Sequence, residues 1–288
     1  MLLFHDPHCA DYGSSMRPEQ PARVVKSVEK LRQTHPTWAW QVPPTAEMDT
    51  LRLAHTARHL ARLQRPPDFD DDTPYFTGIL EYARSSAGSA VAAAEYARTN
   101  KSPAFSLMRP PGHHATADQA MGFCYLNQIA IAALELRHRG VERVGVWDFD
   151  AHHGNGTEAI LRGKPGVRFA SVHQFPGYPG TGTLHVDNCF NYPVVPRTPR
   201  ESHLQILRQS WEELLAFEPE IVLVSAGFDA YVDDPITSML LQAEDFAELG
   251  RWLGAAPCPS AAILEGGYSH DLPFLIDSFL TAWSETVS

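Results

Sequence analysis

The chain has 288 residues, 44% of them hydrophobic, which is enough to bury one large core, so we expect a single domain over residues 1–288. Its formal charge of −11 argues against broad electrostatic binding to nucleic acid or anionic membranes, and no window approaches the ~20 apolar residues of a membrane span. The four cysteines form no Cys-x-x-Cys pair, so neither a disulfide framework nor a thiolate zinc site is indicated. We expect a soluble, cytoplasmic protein.

Short apolar runs alternate with longer helical patterns along the chain. The runs lack the polar alternation of half-exposed strands, which predicts buried strands at 104–108, 144–148, 167–172, 221–225 and 261–265. Helical patterns occupy about 78–99, 125–139, 201–217, 243–254 and 271–285. This alternation predicts an α/β fold of three layers, α/β/α, with helices on both faces of a single parallel sheet.

Two kinds of segment are predicted to be irregular. Residues 64–77 form a loop by composition, and the aspartates of this loop are interpreted as a solvated surface. The proline-rich pieces at 42–44 and 193–199 are interpreted as connections.

Four polar segments each come directly after a predicted strand. In parallel sheets, ligands bind beyond the carboxyl ends of the strands, so we expect these segments to meet at one rim of the sheet. The segments are 109–114, 148–156, 227–229 and 265–268.

The first chemistry that these segments predict is metal binding. Asp150 and His152 lie two residues apart at one strand end, and Asp229 follows another strand. Two carboxylates and one imidazole, with a fourth position left for water, are typical of a catalytic site for a divalent metal, with zinc as the first candidate. Taken alone, an Asp-x-His pair is more typical of ordinary polar capping than of metal ligation.

The adjacent histidines His113 and His114 suit acid–base catalysis, although two incidental histidines in a surface loop are the plainer alternative. Asp148 and Asn155 could each orient one imidazole. A carboxylate raises the basicity of its histidine, whereas an amide leaves it near its intrinsic pKa. We therefore expect a His114–Asn155 pair to act as the proton shuttle and a His113–Asp148 pair to act as a cationic stabiliser.

Tyr268 places a phenol on the Gly266-Gly267 turn, where its hydroxyl could reach negative charge developing on a carbonyl oxygen. By itself this motif is more typical of a tyrosine packed under a turn.

Taken together, the motifs resemble the zinc-dependent histone deacetylases, specifically their class II-like bacterial branch. The resemblance runs in order from about residue 5 to about residue 280, and it rests on residues 109–115, 121–127, 148–157, 179–182, 225–230 and 264–268. It implies the arginase/deacetylase fold, with a parallel sheet of about eight strands flanked by helices.

The resemblance also implies roles for individual residues. The zinc ligands would be Asp150, His152 and Asp229, the tandem histidines His113 and His114, and the oxyanion-binding tyrosine Tyr268. An acyl tunnel would be lined by Gly122, Phe123, Tyr178 and Ile236. A structural potassium ion near the zinc would use Asp148, the backbone of Asp150 and His152, Ser171 and Val172.

The implied reaction is removal of an acyl group, above all acetyl, from a lysine-type amine by metal-activated water, with His114 as base and then as acid. Deacetylation of acetylpolyamines or other small acylated amines is the alternative, although the chain lacks a long insertion around 64–77 that usually accompanies it. Asn155 follows the class II pattern, and Arg17 replaces the family's usual histidine in the first loop.

Two other classes fit less well. The amidinohydrolases of the same fold bind two manganese ions through Asp-x-His-x-Asp, but Gly154 follows His153 here, so a bridging carboxylate is missing. A non-catalytic acyl-lysine binder would be expected to lack Tyr268 or a tandem histidine, and this chain has them all.

Overall fold

The computed structural model describes residues 1–287, which form one eight-stranded sheet with helices on both faces. The strands are β1 (Leu2–Phe4), β2 (Ala39–Gln41), β3 (Ala104–Ser106), β4 (Val144–Asp148), β5 (Val167–Gln174), β6 (Cys189–Val194), β7 (Ile221–Ala226) and β8 (Ser260–Leu264). The helices are α1 (Ala22–Thr34), α2 (Met48–Leu51), α3 (Ala57–Arg62), α4 (Ile79–Asn100), α5 (Gln128–His138), α6 (Asn155–Leu161), α7 (Arg200–Leu215), α8 (Ala243–Gly254) and α9 (Leu272–Thr286).

The strands lie in the order β2-β1-β3-β8-β7-β4-β5-β6, and every neighbouring pair is parallel. The predicted three-layer α/β/α fold is therefore confirmed, as is the number of strands that the resemblance implied. Because the sheet is parallel throughout, all eight carboxyl ends point to the same edge.

Successive residues of each strand face opposite layers, and each layer has its own core. In β4, Val144 and Val146 face the core that α4 and α5 cover, whereas Trp147 faces the core under α7, α8 and α9. All three side chains are fully buried. This burial on both faces explains why the central strands are continuous apolar runs.

The predicted element boundaries are close to those in the structure, with informative exceptions. The pattern predicted at 125–139 becomes a helix only at Gln128, because the side chain of Asn127 caps it by accepting the N–H of Ala130 at 2.9 Å. The interpretation of 193–199 as a connection is wrong at its start, because Pro193 and Val194 belong to β6. An edge strand that pairs only with β5 accommodates this proline.

Residues 64–77 lie between α3 and α4 without regular structure, as predicted. Among residues 1–287, no helix combines the length and the apolar character needed to cross a bilayer. That residues 1–288 make up a single domain stays a prediction.

Candidate active site

The four polar segments follow four strands that are neighbours in the sheet. In the spatial order β3-β8-β7-β4, the segments after these strands are 107–114, 265–268, 227–229 and 149–155. The parallel arrangement puts all four at one rim, next to one another. Residues far apart in the sequence therefore share one site.

Asp150, His152 and Asp229 form a compact group at this rim. One ligand atom of each lies within 4.8 Å of the ligand atoms of the other two. His152 Nδ1 donates to Asp229 Oδ2 at 2.8 Å, and the backbone N–H of His152 donates to Asp150 Oδ1 at 2.9 Å. Both carboxylates are fully buried, whereas His152 is partly exposed.

This group fits a divalent cation in charge and in space. Two buried carboxylates require a compensating positive charge. Burial opposes a charge on His152, but Asp229 and Asp150 raise its pKa well above the usual value, so the two carboxylates strongly favour a positive charge at this position. A Cβ on Gly266 would lie 2.5 Å from an oxygen of each carboxylate, so the glycine keeps the space around them open. Three such ligands are the donor set of an open catalytic zinc site.

The tandem histidines have the two partners expected from the sequence. His113 Nδ1 donates to Asp148 Oδ2 at 3.0 Å, and His114 Nδ1 donates to Asn155 Oδ1 at 2.7 Å. The two rings lie 4.0 Å apart, and both are buried. Each histidine therefore keeps its Nε2 free of these partners, while its tautomer is fixed by the Nδ1 hydrogen bond.

The different partners give the two imidazoles different basicities. Burial opposes charge on His113, but the carboxylates of Asp150 and Asp148 outweigh it and raise the pKa of His113 to about 10. Burial, together with the positive charges of His113 and His152, lowers the pKa of His114 well below its usual value. At neutral pH His113 is cationic and His114 is neutral.

The loop that carries the histidines is held by a buried carboxylate that sequence reasoning gave no role. Glu265 Oε2 accepts the backbone N–H groups of Gly112 at 2.7 Å and of His113 at 3.1 Å. Burial raises the pKa of Glu265 to about 7, against the lowering effect of His113 and these N–H groups. Its place in the motif Glu265-Gly266-Gly267-Tyr268 was the available signal.

A second buried network connects the amino-terminal loop to the Tyr268 turn. Arg109 Nη2 donates to Glu19 Oε2 at 2.8 Å, and Arg23 Nη1 donates to Glu19 Oε1 at 3.2 Å. Arg23 Nε donates to the carbonyl oxygen of Gly267 at 2.7 Å, and its guanidinium lies 4.8 Å from the Tyr268 ring. Charged residues at core positions follow no apolar period, so the pattern did not reveal Glu19 or Arg23.

A cavity of about 230 Å³ leads from the surface to this site. It brings together the four residues that the resemblance assigned to the acyl tunnel, the second tandem histidine, one proposed metal ligand, the tyrosine and two residues that were not predicted. The lining residues are Pro18, Asp72, His114, Gly122, Phe123, His152, Tyr178, Ile236 and Tyr268.

The two unpredicted residues add to one interpretation. Asp72 belongs to the acidic run of residues 68–72, which is predicted to be a solvated surface; Asp72 is exposed, as predicted, and it also lies at the cavity. Pro18 arrives from the amino-terminal loop, which is fixed by Arg17 Nη1 donating to the carbonyl oxygen of Asp71 at 3.0 Å. The acidic run is therefore partly a wall of the site.

The residues expected to hold potassium are also neighbours. Asp148 and Ser171 are paired positions of β4 and β5, and Ser171, Val172 and Asp148 are buried. Ser171 Oγ shares a hydrogen bond of 2.9 Å with His173 Nδ1. Potassium binding itself stays a prediction.

Comparison with known proteins agrees with this geometry. A family described as "Histone deacetylase domain" matches residues 17–280. The chain belongs to this family. A probable deacetylase of Archaeoglobus fulgidus is 34% identical over 93% of this chain and 81% of its own length. A histone deacetylase-like amidohydrolase of Pseudomonas aeruginosa is 35% identical over 89% of this chain and 73% of its own.

The histone deacetylase fold is shared with solved structures as well. The acetylpolyamine aminohydrolase of Burkholderia pseudomallei superposes with a TM-score of 0.88 at 27% identity, and the match covers 99% of both chains. The family resemblance seen in the motifs is confirmed, and with it the class of enzyme, a deacetylase that hydrolyses amide bonds.

Proposed function

We propose that this deacetylase removes an acyl group from a lysine-type amine with one zinc ion held by Asp150, His152 and Asp229. The observation that carries the proposal is the convergence of this triad with the His113–Asp148 and His114–Asn155 pairs at one cavity. A binding protein would have no use for two adjacent imidazoles with opposite protonation states.

The zinc ion and the potassium ion would have different roles. A zinc ion bound by the triad supplies Lewis acidity, which polarises a carbonyl oxygen and acidifies a water molecule. We place a potassium ion at Asp148, the backbone of Asp150 and His152, Ser171 and Val172, where it would be structural. We also place the enzyme in the cytoplasm, where the four cysteines, all free thiols, stay reduced.

His114 is the proton carrier of the proposed reaction. Its Nδ1 donates to Asn155, so Nε2 has the lone pair that accepts a proton from the attacking water. The water oxygen bonds to the acyl carbon, and the carbon–nitrogen bond then breaks as Nε2 returns the proton to the departing nitrogen. His113 keeps its proton throughout, because Asp148 and Asp150 stabilise the charge. The acid formed loses its remaining proton and the amine gains one, so at neutral pH the products are a carboxylate and an alkylammonium ion.

Tyr268 and Gly122 contact the reacting amide in this proposal. The Tyr268 hydroxyl donates to the oxyanion that develops on the acyl oxygen. The Gly122 carbonyl accepts the N–H of the scissile amide. Phe123 lies beside Tyr268, with ring centroids 5.6 Å apart, and Tyr178 lies edge-on to His114 at 5.0 Å. These rings, with Ile236, form an apolar slot for the alkyl chain and for the acyl group that it carries.

One observation favours acylated polyamines as a second candidate substrate. Asp72 lies on the cavity, and burial together with the carboxylates of Asp70 and Asp72 raises the pKa of Tyr178. A negative potential at the mouth attracts an alkyl chain that carries further ammonium groups. The Burkholderia pseudomallei structure named above bears the name of an acetylpolyamine aminohydrolase.

A substrate panel tests the proposed function. Acetyl-lysine peptides, acetylated polyamines and acetylated monoamines would be assayed with metal-stripped protein and with protein restored with zinc. We expect turnover only after zinc is restored, and inhibition by a hydroxamate that chelates the ion. If no substrate is turned over by zinc-restored protein that binds one equivalent of zinc, the assignment is wrong. A preference for polyamines that declines steeply with salt would select the second candidate.

Replacement of Tyr268 by Phe separates catalysis from binding. The variant retains the ring but loses the hydroxyl, so we expect kcat to fall by about 10²–10³ with a small change in substrate affinity. Steady-state kinetics and calorimetric titration with a hydroxamate measure the two effects. Unchanged kcat would remove the proposed role of Tyr268.

A further inference from the structure

The wall of the cavity contains a bulky residue in an unfavourable backbone conformation. Phe123 has φ of 67°, in the left-handed region, directly after Gly122 with φ of 55°. Both residues line the cavity. A residue other than glycine adopts this conformation only where its surroundings hold it there. The contacts that hold Phe123 therefore determine the shape of the slot.

In the turn of residues 121–124, the backbone groups of the two end residues bond to each other, but the N–H of Phe123 has no partner within the turn. Met121 and Cys124 exchange two backbone hydrogen bonds of 3.0 Å each. The N–H of Phe123 instead donates to Thr73 Oγ1, at 3.0 Å. Thr73 is fully buried, so the protein interior fixes the position of this acceptor. The Thr73 hydroxyl, from a loop distant in sequence, is thus the acceptor for the N–H of Phe123, the strained residue of the cavity wall.

Further contacts join the same two segments. The Tyr125 hydroxyl donates to the carbonyl oxygen of Pro74 at 2.5 Å, and the Phe69 ring packs edge-on against Tyr125 at 5.7 Å. The Phe69 N–H donates to the carbonyl oxygen of Thr73 at 3.0 Å. Residues 68–75 are thereby fastened to residues 121–125, and Asp72 of the first segment lies at the cavity itself.

We propose that Thr73 is a positioning residue for acyl selection. Its hydroxyl holds Phe123 in the left-handed conformation, and Phe123 in turn narrows the slot beside Tyr268. Without the hydroxyl, Phe123 relaxes toward ordinary φ values, its ring leaves the wall, and the slot accepts bulkier acyl groups at the expense of acetyl. The inference rests on the proposed function, because it concerns the same cavity.

Three variants test this role. Thr73→Val replaces the hydroxyl by a methyl group of similar size, and Thr73→Ser keeps the acceptor. Ser210→Ala is the matched control, because Ser210 Oγ accepts the Trp147 indole N–H at 3.0 Å and both residues are buried in the other core layer. Each of the two disruptive variants leaves one N–H without its side-chain acceptor, so both melting temperatures should fall.

The kinetic readout is the ratio of kcat/KM for acetyl-lysine to kcat/KM for a butyryl-lysine substrate. We expect Thr73→Val to lower kcat/KM for acetyl-lysine about tenfold, as for a lost hydrogen bond, and to lower the ratio further than any other variant. Thr73→Ser should stay within about threefold of the parent, and Ser210→Ala should leave the ratio unchanged. A ratio in Thr73→Val equal to that in Ser210→Ala would overturn the proposal.

Hydrogen exchange measures the same role without activity. Peptides covering residues 121–125 should exchange faster in Thr73→Val than in the parent and in Thr73→Ser. Equal exchange in all three proteins would overturn the positioning role even if every substrate failed. Failure of the proposed function appears separately, as a zinc-loaded parent protein without turnover on any acylated amine.

Discussion

Two adjacent histidines of this site are made chemically different by one neighbouring side chain each. His113 donates to a carboxylate and His114 donates to an amide, at 3.0 and 2.7 Å. The charged partner keeps one imidazole protonated, while burial beside that charge keeps the other neutral. A carboxylate at residue 155 in place of the amide would add a negative charge beside His114 and reduce this difference.

Replacing Asn155 with Asp should therefore move the pH profile. A carboxylate at hydrogen-bond distance from His114 Nδ1 stabilises the protonated imidazole and raises its pKa. Because the general base must be neutral to accept a proton, the rising limb of kcat/KM moves to higher pH, by about one unit or more. The measurement is kcat/KM from pH 5 to 10 for both proteins. A limb at the same pH in both would mean that His114 is not the base.

Gly266 should tolerate no side chain. A Cβ there would stand 2.5 Å from Oδ2 of both Asp150 and Asp229, so the carboxylates of Gly266→Ala must move apart. We expect zinc affinity to fall at least 10²-fold, measured by competition with a chelator.

Gly163→Ala is the control for this substitution. Gly163 has a positive φ, of 70°, which Gly266 lacks, and a Cβ there meets nothing within 4 Å. This variant should lose about 1 kcal/mol of stability and keep its zinc. Equal zinc affinity in both variants would show that Gly266 does not shape the metal site.

At the scale of elements, the central strands were predictable and the edges of the fold were not. Strands β3, β4, β5, β7 and β8 are apolar runs because both faces are buried. Strands β1, β2 and β3 have three residues each, but only β3 begins a longer buried run, which continues through Leu107 and Met108. In α1 the buried positions include Arg23 and Ser27, so the apolar period that marks a helix is interrupted.

The same limit applies to the site. The ligands, the tandem histidines and Tyr268 stand in motifs next to predicted strands, so their convergence follows from a parallel sheet. Asp72 reaches the cavity, and Thr73 contacts the lining residue Phe123, from a loop whose path depends on contacts with Tyr125 and Phe123. Amino-acid composition predicts that such a loop is solvated, because composition contains no information about those distant contacts.

Helix α1 should matter for catalysis through Arg23, although it contributes no residue to the proposed chemistry. Arg23 Nε and Nη2 donate to the carbonyl oxygens of Gly267 and Glu265, on both sides of Gly266. Lysine has no planar fork of donors and cannot make both contacts in the same way. In Arg23→Lys we expect kcat to fall about tenfold or more with zinc content unchanged.

Arg32→Lys on the same helix is the control for the Arg23 variant. Arg32 is exposed, and its guanidinium lies over the Trp40 ring at 4.8 Å, away from the cavity. This variant should keep full activity. Wild-type kcat in Arg23→Lys would mean that the Tyr268 turn holds its shape without α1.

For the whole molecule, buried neutral histidines set the acid limit of stability. His203 of α7 is buried, its Nδ1 has no hydrogen-bond partner among the described residues, and burial lowers its pKa to about 4. The unfolded chain has an ordinary histidine there, with a pKa of about 6.5. Between these values the unfolded state binds more protons, so stability is full above pH 6.5 and declines as the pH falls toward 4.

The substitution His203→Leu should remove the contribution of His203 to this loss of stability at low pH. From pH 6.5 to pH 5, the parent protein should lose about 1.5 kcal/mol more unfolding free energy than the variant. Urea denaturation at the two pH values gives the difference. Identical losses would show that His203 is not the source, and His55 and His173, whose pKa values burial lowers to about 3, would be the next candidates.

The position of the triad has a consequence for the exchange of its ion. Of the three side chains, only His152 lines the cavity, while Asp150 and Asp229 are sealed from solvent. An ion on its way in or out must pass the place where the acyl chain sits. A molecule bound in the slot therefore blocks the exit of the ion. We expect the metal ion to dissociate more slowly for as long as the slot is occupied.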